Sequence, residues 1–332
     1  MVKLSLHLLQ IFYNLFMIHS RNNKILCGID GSYFFHYTVF GCVAEFMKKH
    51  PDEAAIWIKD PEEVDQKNLP DLLNCETFKR ILKRFVMRRL ETIDWQLKGH
   101  FQDQIDIAEG IDFIFAMDDY LKNNFRKEIY PEYKAHRKLV KRSYNNYKIH
   151  DYVLNVLFKE LDAEGNYGYH IVKVPGAEGD DVIATLFREF KDQYMLNVLF
   201  ASDRDFVQLE GVHQLNLFGK EVECKLGDEV VTPKEFLLAK VLMGDGADNI
   251  SQVFERVGAK KALKLVRDKA ALKQKLKEDA DAVARFKLNE KLISFDFIPK
   301  DLTAKIVEAI NVELYKNEVI NKDIDFRDFM TL

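Results

Sequence analysis

A chain of 332 residues can form one large or two modest domains, and its 47% hydrophobic and 31% charged residues are ordinary for a folded protein. A net charge of −4 argues against a uniformly basic nucleic-acid binder, although acidic and basic segments offset each other in that average. Cys27, Cys42, Cys75 and Cys224 form no CxxC pair, so a zinc site or a disulfide framework is disfavoured and a reducing cytoplasm fits.

Residues 1–23 form an apolar N-terminal extension, LSLHLLQIFYNLFMI followed by HSRNNK. The apolar run is shorter than the roughly 20 residues of a membrane span, and Ser5, His7, Gln10 and Asn14 interrupt it. No small-residue cleavage site follows it, which disfavours a signal peptide. We expect no membrane association, and either a helix packed on the body or a start codon assigned too early.

Four short apolar segments have the character of buried strands: KILCGI, IDFIFAM, YHIVKV and LNVLFA. Amphipathic patterns between them predict helices over 33–49, 77–97 and 150–161, and another helix opened by Asp180 and Asp181. Strands that alternate with helices indicate a mostly parallel α/β sheet flanked by helices. The pattern predicts an α/β core over 24–243.

Two segments interrupt this alternation. Residues of about 50–77 contain three prolines and mixed charge, and we interpret them as an inserted, partly irregular excursion. The second segment, about 119–149, is rich in basic residues and follows the second strand. Beyond a capping box at Thr232 and Glu235, whose helix is expected to stop at Gly244, residues 244–332 are predicted to form a helical subdomain.

Acidic residues follow the predicted strands and the capped helix in five separate places. They are Asp30, Asp118, Glu178, Asp180, Asp181, Asp203, Asp205, Asp245 and Asp248. Ligands of open α/β sheets bind beyond the carboxyl ends of the strands, so most of these acids are expected to meet at one edge. Carboxylates about 4 Å apart repel by roughly 4 kcal/mol at an effective dielectric constant near 20, which favours cations among them.

Each acid also has a structural interpretation as a turn residue or a helix cap. Their joint occurrence in this order favours a metal site instead. Oxygen ligands without His or Cys indicate a hard cation, Mg²⁺ or Mn²⁺. Acids from five segments exceed the needs of one Mg²⁺, so we predict two ions about 4 Å apart, suited to attack on a phosphodiester.

The segment FRKEIYPEYKAHRK interleaves basic and aromatic residues. Its candidate nucleic-acid contacts are Arg126, Lys127, Tyr130, Tyr133, Lys134 and Arg137. Basic groups follow phosphates while aromatic rings stack on unpaired bases; the alternative is a solvated helix face. A second candidate, NISQVFERVGAKKALKLV, places Gly258 before Lys260 and Lys261 at a helix start, where backbone N–H groups can hold a phosphate.

These motifs resemble the 5′-nuclease superfamily of flap endonucleases and bacterial 5′→3′ exonuclease domains. VPGAEGDDVIATL resembles the acidic helix start of that family, and SDRDFVQL, GDGADNI and YPEYKAHR resemble three further motifs in the family order. The resemblance covers most of residues 24–270. The tail NEKLISFDFIPKDLTAKIVEAI resembles the ribonuclease H of T-even bacteriophages, a member of the same superfamily.

The resemblance implies a PIN-like fold with a helical arch over about 119–149 and a helix–three-turn–helix hairpin around Gly258. It implies that Asp30, Asp118, Glu178 and Asp180 hold a first metal, with Asp181 acting partly through water. Asp203, Asp205, Asp245 and Asp248 then serve the second metal. Many relatives hold a monovalent cation at this hairpin, so the resemblance also implies one near Gly258. Arg256 stands where the family usually has a glycine, and this departure argues against the cation.

By the same resemblance, Lys134 contributes positive charge at the scissile phosphate and Tyr133 stacks on a displaced base. Arg126 and Arg137 guide the 5′ strand through the arch. The implied activity is Mg²⁺-dependent removal of RNA primers and 5′ DNA flaps, giving 5′-phosphate and 3′-hydroxyl products. The implied partners are DNA and RNA–DNA duplexes with free 5′ ends, flaps or forks.

We further expect a monomer in the cytoplasm, of the bacterial host if a phage encodes it, and a replication partner such as single-strand-binding protein or a sliding clamp. For the tail with Phe326 and Phe329, docking on a clamp and packing against the body are the alternatives, and packing is favoured. Two other functions remain: a PIN-type ribonuclease, although such proteins are shorter, and a non-catalytic branched-DNA-binding replication protein.

Overall fold

A five-stranded, wholly parallel sheet forms the centre of the fold. The structure, a computed structural model, describes residues 21–59, 69–119, 124–135, 144–165 and 169–321. The strands are β1 (Lys24–Asp30), β2 (Gly110–Met117), β3 (Tyr169–Lys173), β4 (Leu196–Phe200) and β5 (His213–Leu215). Their order is β3-β2-β1-β4-β5, so the chain reverses direction across the sheet between β1 and β4.

The four predicted strands and the mostly parallel sheet are confirmed. The fifth strand was missed because β5 has only three residues, of which Leu215 is the one buried apolar side chain. A two-stranded antiparallel ribbon, β6 (Lys225–Leu226) and β7 (Glu229–Val230), follows it.

Helices cover both faces of the sheet and continue beyond it. They are α1 (Gly31–Lys49), α2 (Pro51–Trp57), α3 (Glu76–Ile107), α4 (Phe125–Ile129), α5 (Tyr144–Tyr152), α6 (Phe158–Gly165), α7 (Gly179–Phe190), α8 (Pro233–Met243), α9 (Ala259–Arg267), α10 (Lys269–Glu278), α11 (Ala280–Ile293) and α12 (Lys300–Asn321). A single turn of π-helix, Val153–Leu157, joins α5 to α6.

The long helix α3 extends ten residues past its predicted end at residue 97, with one non-helical residue at Phe101. Apolar residues recur at three- and four-residue spacing along α3 and pack against α1. They are Phe78, Ile81, Leu82, Phe85, Val86, Leu90 and Ile93, of which only Phe85 is partly exposed. Within the excursion predicted for 50–77, α2 and a short 3₁₀ turn at Leu72–Asn74 are present, while 60–68 lie outside the described residues.

The sheet is buried on both faces, as its continuous apolar strands predict. Ile25, Cys27 and Ile29 of β1 pack with α1 and α3 on one face, and the opposite face packs against α7 and α12. Gly28 faces α7 so closely that a Cβ there would lie 2.9 Å from the ring of Phe187, which explains the glycine in this strand.

Helices α8 to α11 enclose a separate apolar cluster that includes Phe236, Val253 and Leu263. The predicted capping box at Thr232 and Glu235 and the helix end at Gly244 are confirmed. The final helix α12 then returns to the core, where Ile306 and Ile310 are fully buried beneath β3 and α7. None of the helices in the described ranges combines the length and apolar character that crossing a bilayer requires.

His170 of β3 joins the sheet to α12, since its Nδ1 lies 2.9 Å from the backbone oxygen of Glu313. Burial lowers the pKa of His170 below its ordinary value of 6.5, so the folded state resists protonation more than the unfolded state does. The stability that this neutral histidine contributes is therefore complete above pH about 6.5 and is lost as the pH falls below it.

We expect a His170→Gln variant to lose less stability than the natural protein between pH 7.5 and pH 5.5. Urea unfolding of both proteins at several pH values gives the free energy of unfolding of each. Contributions of the other histidines are common to both proteins and cancel in the difference between them. Parallel pH profiles would contradict a contribution from His170.

Candidate metal centre

Three of the predicted acids extend from neighbouring strands at the carboxyl edge of the sheet. Asp30 ends β1, Asp118 directly follows β2, and Asp203 comes three residues after β4. Because β1 lies between β2 and β4, the three carboxylates face one another where the chain order reverses. The register, which pairs Asp30 with Ala116, sets Asp118 only two residues beyond Asp30 along the strand direction.

Local hydrogen bonds orient each of these side chains. Asp30 caps α1 by accepting from the Tyr33 backbone N–H at 3.0 Å. Asp118 accepts from Ser32 Oγ at 2.7 Å and from the Gly179 N–H at 2.7 Å. Asp203 caps a 3₁₀ turn by accepting from the Asp205 N–H at 2.8 Å. The capping roles that these positions suggested as alternatives are therefore real, and they fix the carboxylates in place.

Asp180 joins these three acids from the first turn of α7. Burial raises its pKa well above the ordinary value, and the charges of Asp30, Asp203 and Glu178 add to that effect against the opposing charge of Lys134. Burial likewise raises the pKa of Asp30 to about 7, with further contributions from Asp118 and Asp203. We refer to Asp30, Asp118, Asp180 and Asp203 as the inner group.

Lys134 reaches the edge of this group from the segment after β2. Its Nζ lies 2.8 Å from Glu178 Oε1 and 3.8 Å from Asp248 Oδ2. Burial raises the pKa of Glu178, but the charges of Lys134 and Arg126 outweigh burial and hold that pKa below its usual range. The Lys134 backbone has φ of +53° and donates its N–H to the Asp248 oxygen at 3.0 Å, which aims the side chain inward.

A second lysine, Lys240, bridges Asp205 and Asp245, which we call the outer pair. Its Nζ contacts Asp205 Oδ1 and lies 3.1 Å from Asp245 Oδ2. Burial raises the pKa of Asp205 to about 6, and Asp203 and Asp245 add to this while Lys240 opposes it. Lys240 was not predicted as a site residue, because its only sequence signal is its position in the last turn of the helix that leads to Asp245.

Three predicted roles require correction. The Tyr133 ring is only 2% exposed, and its hydroxyl lies 3.0 Å from Glu178 Oε2 and 3.2 Å from Asp248 Oδ2, either of which can accept its proton. In this arrangement the ring offers no face for a displaced base. Arg126 is also buried, so it cannot guide a DNA strand. It pairs instead with Asp181 at 2.8 Å and donates to the Leu292 backbone oxygen at 2.9 Å.

The third correction concerns Asp181, predicted to act on a metal partly through water. The residue is fully buried, and each of its carboxylate oxygens has a protein partner, one through an ion pair and the other through a hydrogen bond. Arg126 pairs with Oδ1, and the Glu178 N–H donates to Oδ2 at 2.9 Å in a reciprocal capping box. Asp181 therefore holds the start of α7, which in turn positions Glu178 and Asp180.

Among the described residues, none of the other predicted nucleic-acid contacts pairs with these acids. Lys127 and Tyr130 are half-buried beside the segment that carries Lys134, and Arg137 lies outside the described residues. Gly258 caps α9, and Lys260 and Lys261 are exposed in its first turn, as the hairpin motif requires.

Arg256, which stands before Gly258 in this hairpin, has φ of +53°, the left-handed region that favours glycine. A cation at this hairpin stays a prediction.

The donor chemistry of the edge fits a hard divalent cation, because every side chain of the inner group and the outer pair offers carboxylate oxygen. Burial raises the pKa values of Asp30 and Asp180, and the neighbouring carboxylates raise them further. Within the described part of the chain, no three His, Cys, Asp or Glu side chains already form a closed ligand set. Lys134 and Lys240 stand among these carboxylates.

A parallel sheet with an acidic carboxyl edge, flanked by helices, defines a PIN-like α/β protein. Residues 101–237 match the family described as 5′-3′ exonuclease, N-terminal resolvase-like domain. This match and the 5′-3′ exonuclease relatives agree with the resemblance to the 5′-nuclease superfamily that the motifs carry.

Two curated relatives are 5′-3′ exonucleases of Buchnera aphidicola, 28% identical over 159 residues and 31% identical over 163 residues. Each match covers 46% of this chain and 52% of the relative, so the chain spans about half the length of these exonucleases. The thermostable DNA polymerase I of Thermus thermophilus is 31% identical over 189 residues, which cover 55% of this chain and 21% of the polymerase.

Among solved structures, the flap endonuclease of bacteriophage T5, in a complex with DNA and metal ions, superposes with a TM-score of 0.53 at 18% identity. The match covers 88% of this chain and 99% of the T5 chain. A second T5 structure, co-crystallised with metal ions, gives a TM-score of 0.51. At this identity the likeness establishes a shared fold.

Proposed function

We propose that this protein is an Mg²⁺-dependent, structure-specific 5′→3′ exonuclease and flap endonuclease that removes RNA primers and 5′ DNA flaps. One observation carries the proposal: eight acids from five separate segments gather at one sheet edge, and two lysines reach the same place. A protein that only bound DNA would gain nothing from concentrating negative charge where phosphates must approach.

Asp30, Asp118, Asp180 and Glu178 are the residues that would hold a first ion. The outer pair and Asp248 would hold a second, and Asp203 would lie between the two. The chemistry that bound Mg²⁺, or Mn²⁺ in its place, supplies here is activation of water and neutralisation of charge on the leaving 3′ oxygen. The chain itself contributes Lys134, whose ammonium lies at the rim of the group and supplies positive charge where the scissile phosphate becomes more negative. The products are then a 5′-phosphate and a 3′-hydroxyl.

Substrate selection rests on structure rather than base sequence in this proposal. Lys260 and Lys261 at the start of α9 would hold a duplex phosphate and set its register without reading bases. Lys127 and Arg137 would contact the free 5′ strand. The proposed setting is the cytoplasm, of the bacterial host if the gene is phage-borne, with the protein acting as a monomer beside single-strand-binding protein or a sliding clamp.

The direct test uses a 5′-flap DNA duplex and an RNA-primed duplex, each labelled at the 5′ end, with Mg²⁺ or with EDTA. Release of short 5′ fragments only with Mg²⁺ is the expected result, and comparison of the two substrates gives the RNA or DNA preference. Tight binding of both duplexes without cleavage in Mg²⁺ or Mn²⁺ would favour a branch-binding protein. Cleavage of single-stranded RNA alone would favour a PIN-type ribonuclease.

The hairpin contribution is measurable as a salt dependence. Changing Lys260 and Lys261 to Ala is expected to weaken duplex binding and to reduce the slope of log K against log salt by about two phosphate contacts. Fluorescence anisotropy over a salt series measures this slope.

The matched control changes Lys48 and Lys49 to Ala at the far end of α1. At about 1.5 Å per residue, the 19 residues of this helix carry them roughly 28 Å from its start at Asp30. A slope that is unchanged in the Lys260 and Lys261 variant would remove the hairpin from the interface.

A further inference from the structure

Lys134 and Lys240 form ion pairs with some of the acids at the sheet edge and not with others. Lys240 holds both members of the outer pair, and Lys134 holds Glu178 and approaches Asp248. For the inner group, no Lys or Arg nitrogen of the described residues lies within ion-pair distance. The inner group is therefore short of positive charge, while the outer pair already has a resident cation.

Lys240 is well built for this role. Its side chain is 16% exposed and those of Asp205 and Asp245 are 21% and 20% exposed, so water screens the bridge only partly. The ammonium lies in the last turn of α8, where the negative end of the helix dipole also favours a cation. Gly244, with φ of +68°, turns the chain immediately afterwards and brings Asp245 back towards this helix end.

We propose that Lys240 is an internal counter-ion that occupies the outer pair in the metal-free protein and competes with a divalent cation for Asp205 and Asp245. This inference rests on the proposed metal-dependent function. A cation held by the inner group alone displaces no ammonium, and only its contact with Glu178 would compete with Lys134. Binding at the outer pair, in contrast, requires Lys240 to move. The two positions consequently fill in order, inner group first, and Lys240 sets the affinity of the second.

A substrate would relieve this competition. The lysine side chain has a flexible four-carbon stem, so its ammonium can leave the two carboxylates for a nearby phosphate oxygen of a bound strand. The outer pair then becomes free for a divalent cation only when nucleic acid is present. Lys240 would thus couple the second ion to the substrate and keep the metal-free edge compact.

The test is a titration of metal-free protein with Mn²⁺, without nucleic acid, followed by the electron paramagnetic resonance signal of free Mn²⁺. The natural protein is expected to bind one ion tightly and a second weakly. Lys240→Gln is expected to strengthen the second site by at least about 10-fold, because a competing unit charge at ion-pair distance is removed. The first site should change much less.

Two further variants make the result specific. Lys234→Gln removes the same charge from an exposed position on the same helix. It is expected to leave the Mn²⁺ dissociation constants of both sites unchanged. Lys240→Arg keeps the cation and is expected to keep the second site weak. Circular dichroism of each variant confirms that it is folded.

The outcomes separate this inference from the function on which it rests. If the second site has the same Mn²⁺ dissociation constant in the natural protein and in Lys240→Gln, the proposed role of Lys240 is wrong, but the proposed metal centre is retained. Two equally tight sites in the natural protein would also overturn that role. Absence of any stoichiometric Mn²⁺ binding in both proteins would instead overturn the proposed metal centre, and the inference with it.

Discussion

Replacing Asp205 by Asn is expected to lower the rate of 5′-flap cleavage by roughly 10²–10³-fold, the usual effect of removing one charged group that stabilises the transition state. The substitution keeps the size of the side chain and its place after the Asp203 cap, but it removes one negative charge from the outer pair. Lys240 then keeps Asp245 as its partner. Single-turnover cleavage of a labelled flap duplex in saturating Mg²⁺ measures the effect.

Duplex binding by the Asp205→Asn protein should be largely retained, because the exposed lysines proposed to hold phosphates are untouched. Anisotropy in the presence of EDTA measures binding without cleavage. Asp228→Asn, at an exposed turn between β6 and β7, is the matched control and should leave the rate unchanged. Normal turnover by Asp205→Asn would refute the assignment of this carboxylate to the metal centre.

Replacing Arg126 by Met is expected to destabilise the protein by about 3–5 kcal/mol, the usual cost of breaking a buried ion pair by removing one partner. The guanidinium is 4% exposed, and Asp181, 2.8 Å away, is completely buried. Without Arg126, that carboxylate keeps a charge that neither water nor another cation compensates. Urea unfolding at neutral pH measures the change in the free energy of unfolding.

A second variant tests the stated cause. Adding Asp181→Asn to Arg126→Met removes the orphaned charge but keeps an oxygen that can accept from the Glu178 N–H, so part of the stability should return. Lys127→Met, one residue along the same short helix, controls for the loss of a cation alone and should have a small effect. A double variant no more stable than Arg126→Met would show that the pair is not the origin of the loss.

The sequence predicts the acidic edge well because the signal for it is local. An acid directly after a buried apolar segment, such as Asp30 after KILCGI, lies at a strand end whatever the rest of the chain does. The capping box at Thr232 and the positions of the four longer strands are readable for the same reason. The sequence therefore predicts the positions of residues that lie at the end of a strand or at the start of a helix, because the local sequence alone determines them.

Roles that depend on distant packing are not readable in this way. Tyr133 and Arg126 belong to a basic, aromatic segment that favours a nucleic-acid surface, yet the chain 160 residues later covers them, with Leu292 and Ile293 of α11 packed there. Lys240 is one of many lysines in the sequence, and only the fold brings its ammonium between Asp205 and Asp245. Burial of a charged side chain requires knowledge of its partner, which sequence spacing does not supply.

The hydrogen bonds between the Lys134 segment and the loop after α8 have a mechanical consequence. The Lys134 amide donates to the Asp248 oxygen at 3.0 Å, and Asn249 Nδ2 donates to the Glu132 oxygen at 2.8 Å. A displacement of the Lys134 segment would therefore be transmitted through these hydrogen bonds to the loop that leads into α9. Amide hydrogen exchange at Lys134 would report this linkage, because that proton is protected only while the two segments stay joined.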